Sequence, residues 1–108
     1  MKSIRAAILV ICLAALGSLV TRAQGSNCNA DLNPDACWGY EALPVTSTGV
    51  NNSAFGDFAL YSNRSGSYNT ATGYLALYSN TTSTYNTADG VASLYFNTTG
   101  DDNTASGY

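Results

Sequence analysis

Glycine returns every 17 residues along this chain, at Gly39, Gly56, Gly73, Gly90 and Gly107, and that spacing decides more about the fold than any other feature. Leu43, Leu60, Leu77 and Leu94 keep the same interval. Two residues before each glycine stands Cys37, Ala54, Ala71, Ala88 or Ala105, and before most of those an Asn-Thr or Asn-Ser pair. The frame N-T-A-x-G-x-x-A-L-Y-x-N-T-T-G-x-Y runs over residues 35–51, 52–68, 69–85 and 86–102, and a further copy begins at Asn103. Fixed-period self-similarity of this kind is the mark of a stacked repeat architecture, in which each unit buries its apolar face only against its neighbours.

The text of each block excludes ordinary helices, because glycine and Asn/Ser/Thr turn signals break it before three helical turns can form. Two short runs remain per block, around T-A-x-G and around A-L-Y, and each is expected to form a short strand. Seventeen extended residues have a contour of roughly 55 Å, enough for one circuit of a flattened coil, and successive coils would stack as parallel strands about 4.8 Å apart. The fold class expected is therefore all-β, a parallel β-roll or β-solenoid of 17-residue repeats. Its ladders place glycine over glycine at the corner (Gly39, Gly56, Gly73, Gly90, Gly107), leucine over leucine in the core (Leu43, Leu60, Leu77, Leu94) and asparagine over asparagine at the turns.

Four regions follow. Residues 1–23 read as a secretory signal peptide: Lys2 and Arg5 precede an apolar run over 6–16, then small residues lead to a cleavage site after Ala23. The apolar run is shorter than the roughly 20 residues a membrane span needs, so the mature segment is not expected to insert in a membrane. Residues 24–34 form an N-terminal segment, 35–51 a degenerate capping repeat, and 52–108 the β-roll repeats. The first block carries Cys37-Trp38 and puts Pro44 where later blocks have tyrosine, departures that suit a terminal coil, since proline withholds a pairing donor. Trp38 is read as lid packing rather than as a ligand-stacking residue.

Three of the four basic residues, Lys2, Arg5 and Arg22, lie in the leader, which leaves Arg64 against Asp31, Asp35, Glu41, Asp57, Asp89, Asp101 and Asp102. A chain so acidic offers no cationic cluster to neutralise phosphates, so nucleic acid is not an expected partner, and adsorption to anionic membranes is disfavoured for the same reason. Cys12 sits in the leader, and the remaining pair, Cys28 and Cys37, is expected to form a disulfide in an oxidising compartment. A metal site is the weaker alternative, because no histidine or second cysteine pair completes a ligand set.

Catalysis has little support. The chain has no histidine, no phosphate-cradling glycine loop and no serine with a plausible base. Asp101-Asp102 is an adjacent acid pair on a turn, and Asp89, Asp101, Asp102 and Asn103 follow no calcium-loop spacing, so these read as solvated turn residues. No enzyme activity, cofactor or metal is expected. Sequons at Asn51, Asn63, Asn80 and Asn97 are candidate glycosylation acceptors if the host modifies secreted proteins, and polar turn residues otherwise.

The core of such a coil is thin, since burying one leucine is worth about 1.5–3 kcal/mol. Tyr61, Tyr78 and Tyr95 each follow a core leucine and should point outward in a stripe, a candidate subunit interface, with plain cross-strand stacking on an exposed face as the alternative.

The blocks "NTATGYLAL" and "NTADGVASL" resemble the head repeats of trimeric autotransporter adhesins. They are more similar still to the longer-period form found upstream of the self-cleaving chaperone domains of phage tail fibres and related bacterial surface fibres. The resemblance covers residues 35–108 and implies a left-handed parallel β-roll, a homotrimer, and attachment through a broad outer surface to a protein or glycan ligand. The period of 17 is longer than that of typical adhesin heads, so the N-T-T-G-x-Y loop is expected to bulge outward. Stalk, anchor and chaperone domains are not in this sequence, which is expected to be a piece of a longer chain. The leading expectation is a secreted or cell-surface fibre segment acting in adhesion. The alternatives are a structural spacer of a tail-fibre-like protein and a secreted carbohydrate-binding module that uses exposed aromatics.

Overall fold

A computed structural model describes residues 35–44 and 47–108 of the chain. They form a β-solenoid with five short strands: β1 Ala36–Trp38, β2 Ser53–Phe55, β3 Thr70–Thr72, β4 Thr87–Asp89 and β5 Thr104–Ser106. The strands make one sheet in the order β1-β2-β3-β4-β5, all parallel. Each residue pairs with its counterpart one repeat on, as Cys37 with Ala54, Ala54 with Ala71, Ala71 with Ala88 and Ala88 with Ala105. The centre of each strand is its inward position, and Ala54, Ala71 and Ala88 are fully buried there. Alanine fits because the opposite wall of the coil is close, and a larger side chain on both walls would not pack.

That opposite wall corrects one expectation. The A-L-Y run does not form a second strand; residues 57–62, 74–79 and 91–96 are continuous turns. In the second coil Ala59 N–H donates to Gly56 O, Tyr61 N–H to Phe58 O and Asn63 N–H to Leu60 O, so alternate amides are used inside the coil. The amides between them leave the coil: Phe58 N–H donates to Tyr40 O, Leu60 N–H to Ala76 O and Ser62 N–H to Tyr78 O. The next coil repeats the pattern, with Leu75 N–H donating to Asp57 O and Leu77 N–H to Ser93 O. The geometry depends on left-handed backbone at alternate positions, with φ of 60° at Phe58, 53° at Leu60, 60° at Leu75 and 50° at Leu77. Bulky L-residues pay about 1–2 kcal/mol each for that region, and they hold it here because bonds to both neighbouring coils over-determine the backbone.

Leu43, Leu60 and Leu77 still point inward as the alternation requires, and together with Ala42, Ala59, Ala76 and the strand alanines they make the apolar core. Leu94 is packed against the core but only partly buried. At the corner Gly39, Gly56, Gly73, Gly90 and Gly107 have φ between 113° and 140°. A Cβ on Gly73 would lie 2.5 Å from the Gly90 carbonyl oxygen, so the corner admits no side chain for steric as well as torsional reasons. The leader at 1–23, the segment 24–34 and Cys28 lie outside the described residues.

Candidate functional site

Two features of the folded coil carry chemistry: asparagine ladders inside and aromatic columns outside. Asn52, Asn69 and Asn86 are almost completely buried beside the strands. Asn69 Nδ2 donates to Asn52 Oδ1 at 3.2 Å and to Ser83 O at 2.9 Å, and the Asn69 backbone N–H reaches Asn52 Oδ1 at 3.1 Å. Asn86 makes the same two bonds to Asn69 Oδ1, with its Nδ2 also reaching Ser83 Oγ, and Asn103 makes them to Asn86 Oδ1. The ladder ends at Asp35, whose Oδ1 accepts the Asn52 N–H at 2.7 Å. Asp suits that end because a carboxylate only accepts, so no amide donor is left to satisfy.

A second ladder passes through sequon asparagines. Asn63 and Asn80 are fully buried. Asn63 Nδ2 donates to Ser47 Oγ and Gly66 O, and Asn80 Nδ2 to Asn63 Oδ1 and Ser83 O, while the Ser83 hydroxyl donates to Asn80 Oδ1. Asn97, half-buried, bonds to both backbone groups of Gly100. The sequon amides at Asn63 and Asn80 are thus interior hydrogen-bond donors, not the exposed acceptors a glycosylated turn needs; Asn51 alone of the four is exposed. Every fully buried side-chain nitrogen or oxygen among the described residues has a partner, which is what a buried polar network requires to be stabilising.

On the outside, Tyr61, Tyr78 and Tyr95 stack face to face, with ring centroids 5.2 and 5.0 Å apart and planes within 8° and 4° of parallel. They shield one another: Tyr61 is 37% exposed and the other two are half-buried. Crowding raises the Tyr78 hydroxyl above its ordinary pKa, first through lost hydration and then through Tyr95, Tyr61, Glu41 and Tyr74. A second column, Tyr68 on Tyr85 at 5.0 Å, stands at the last position of the two middle repeats and was not singled out from sequence, although the interval of 17 links the two.

Trp38 also departs from expectation. It is 63% exposed on the outer face of β1 rather than packed as a lid, because a strand whose centre, Cys37, points inward turns both flanking residues out. Phe55 pairs with it in register on β2, and Tyr40 and Tyr74 bracket Phe58 edge to face around the adjoining corner. Cys37 is half-buried at the core; its expected partner Cys28 falls outside the described residues.

Beside the first tyrosine column is an open-sided hollow of about 650 Å³, lined by Pro44, Tyr61, Ser62, Asn63, Arg64 and Thr81. Asp101 caps a turn, its Oδ1 accepting from the Thr84 backbone N–H at 2.7 Å. No three of the described Asp, Glu, Cys or His side chains meet as a metal site, and no described helix is long and apolar enough to cross a membrane.

The fold and its ladders define a repeat protein of the β-solenoid class, with about four turns of 17 residues. Comparison with family models, with curated proteins and with solved structures finds no match to this chain.

Proposed function

We propose that the chain is a non-catalytic segment of a secreted or cell-surface fibre, assembled as a homotrimer of left-handed β-rolls and serving attachment to a protein or glycan surface. The observation that carries this reading is the imbalance of the coil: its interior holds one leucine and a few alanines per turn, while its exterior carries columns of tyrosine. Tyrosine combines apolar area with a polar tip and is favoured where one protein face meets another. Packing three coils side by side would supply the apolar burial that a single one lacks. A disulfide between Cys28 and Cys37 would tie the first coil to the segment before it, in keeping with an oxidising compartment.

The test is the molar mass of the purified chain by light scattering, for the wild type and for a variant with Tyr61, Tyr78 and Tyr95 changed to serine. The wild type is expected at three chain masses and the variant at one; a stable wild-type monomer would sink the trimer. A second reading, a carbohydrate-binding module, is favoured by one observation: Trp38, Tyr40, Phe55 and Tyr74 are all exposed near the first coils, a ready stacking platform for sugar rings.

A further inference from the structure

The tyrosine column is one rung short. Position ten of the repeat holds Tyr61, Tyr78 and Tyr95 in the later coils but Pro44 in the first, so Tyr61 has a stacked neighbour only on its Tyr78 side. The first coil otherwise keeps register: Leu43 N–H donates to Ala59 O just as Leu60 N–H does to Ala76 O. Pro44 stands at the tyrosine ring's position in the column and, with Tyr61 and Arg64, lines the hollow. The volume of the hollow, about 650 Å³, is in the range of small-molecule sites.

The lining has a definite chemistry. Arg64 is the one Lys or Arg in residues 24–108, and it lies here rather than among the turn acids. Its main chain is pinned on both sides, with Arg64 N–H on Thr81 O at 2.9 Å and Arg64 O accepting from Thr48 N–H and Oγ1. The Thr81 hydroxyl donates to Thr98 O at 3.0 Å, which leaves its oxygen as an acceptor toward the hollow. Ser62 brings a second hydroxyl. Glu41, whose carboxylate acts on the Tyr78 hydroxyl, does not line the space.

We propose that this hollow is a binding subsite for a carboxylated pyranose, of the uronic-acid or sialic-acid class. The ring takes the place of the missing tyrosine and stacks on Tyr61, while its carboxylate pairs with the Arg64 guanidinium. Phe58 meets Tyr61 edge to face at 5.7 Å, and the part of the Tyr61 ring left exposed, 37% of the residue, is what a flat ring face with apolar C–H groups would cover; a planar guanidinium is the side chain that holds a carboxylate through two parallel hydrogen bonds. Ser62 and Thr81 meet the ring hydroxyls. Between Tyr61 and Tyr78 and between Tyr78 and Tyr95 the same space is closed by the stacked rings at 5.0–5.2 Å, which places the subsite, among the described residues, at the first-coil end of the column. The inference deepens the attachment reading, on which it rests, by naming the class of surface contacted.

The test is an NMR or calorimetric titration of the full chain with digalacturonic acid and, separately, N-acetylneuraminic acid, with lactose and benzoate as controls. Saturable binding of at least one acid, at least tenfold tighter than lactose or benzoate, is expected, and the acid that binds identifies the source. R64Q, at an exposed position that leaves the fold alone, is expected to weaken it tenfold or more. P44Y, which supplies the missing rung, is expected to abolish it. Saturation by neither acid, equal binding of lactose or benzoate, or full affinity in R64Q would overturn the proposal. Light scattering on the same samples separates the two ideas: an acid-binding monomer keeps the subsite and sinks the trimer, and a trimer that binds neither acid does the reverse.

Discussion

At the scale of the residue, the fold is set by backbone that L-amino acids resist. The corner glycines answer a demand that is both torsional and steric, and the two can be separated. Gly73 has φ 126°, and a Cβ there would strike the backbone of Gly90; Gly107 has φ 113°, and a Cβ there would meet nothing within 4 Å. Gly73→Ala is therefore expected to cost about 3 kcal/mol or more, from strain and overpacking together, whereas Gly107→Ala costs only the strain, about 1–2 kcal/mol. Thermal unfolding followed by circular dichroism compares them, and equal losses would show that the corner is not a contact. This corner was legible in the sequence, since nothing else explains glycine at every seventeenth position. The left-handed residues Phe58, Leu60, Leu75 and Leu77 were not legible, because leucine and phenylalanine give no sign of a φ they ordinarily avoid. The A-L-Y run consequently reads as a strand, and only the inward leucine and outward tyrosine survive from that reading, since alternating turns preserve the two-residue alternation of a strand.

At the scale of the element, the unit is the ladder rather than the strand. Five three-residue strands supply few bonds, and the turn amides bonded from coil to coil, with the asparagine and tyrosine columns, tie together the rest. The stacking of asparagine over asparagine was legible, but the burial of its carboxamides was not, though one signal was available. Asparagine keeps its place at 52, 69, 86 and 103 and at 63, 80 and 97, where a solvated turn would accept Asp, Ser or Gly equally well. That fidelity is what a carboxamide ladder needs, because each rung must both donate and accept. The tyrosine column makes a prediction about alkaline pH. The folded-state pKa of Tyr78 is raised, so its contribution is fully present below the unfolded value of about 10 and is lost as pH rises from there through the folded value. Folding should weaken above about pH 10, and Tyr78→Phe, which keeps the ring and removes the ionisation, should flatten that decline. A decline of unchanged slope in the variant would place its cause elsewhere.

At the scale of the whole molecule, each coil touches only its two neighbours, so stability is close to a sum of nearest-neighbour terms and depends on position along the stack. Leu77 is fully buried between its neighbouring coils, whereas Leu94 is only partly covered. Leu77→Ala removes a side chain packed on every side and leaves a cavity that the stiff, doubly bonded turns around it cannot close, at a cost of about 2–5 kcal/mol. Leu94→Ala gives up less transfer free energy and opens to water rather than to a void, so about half that cost or less is expected. Denaturant unfolding of the two variants reads the difference directly. If partner chains cover the outside of the coil in the assembled fibre, the unfolding midpoints of the wild type and of both variants should rise together with protein concentration, since association stabilises the folded state by mass action. If the coil stands alone, none of the three midpoints will depend on concentration. The same pair of variants thus measures how thin the core is and whether anything outside the chain makes up for it.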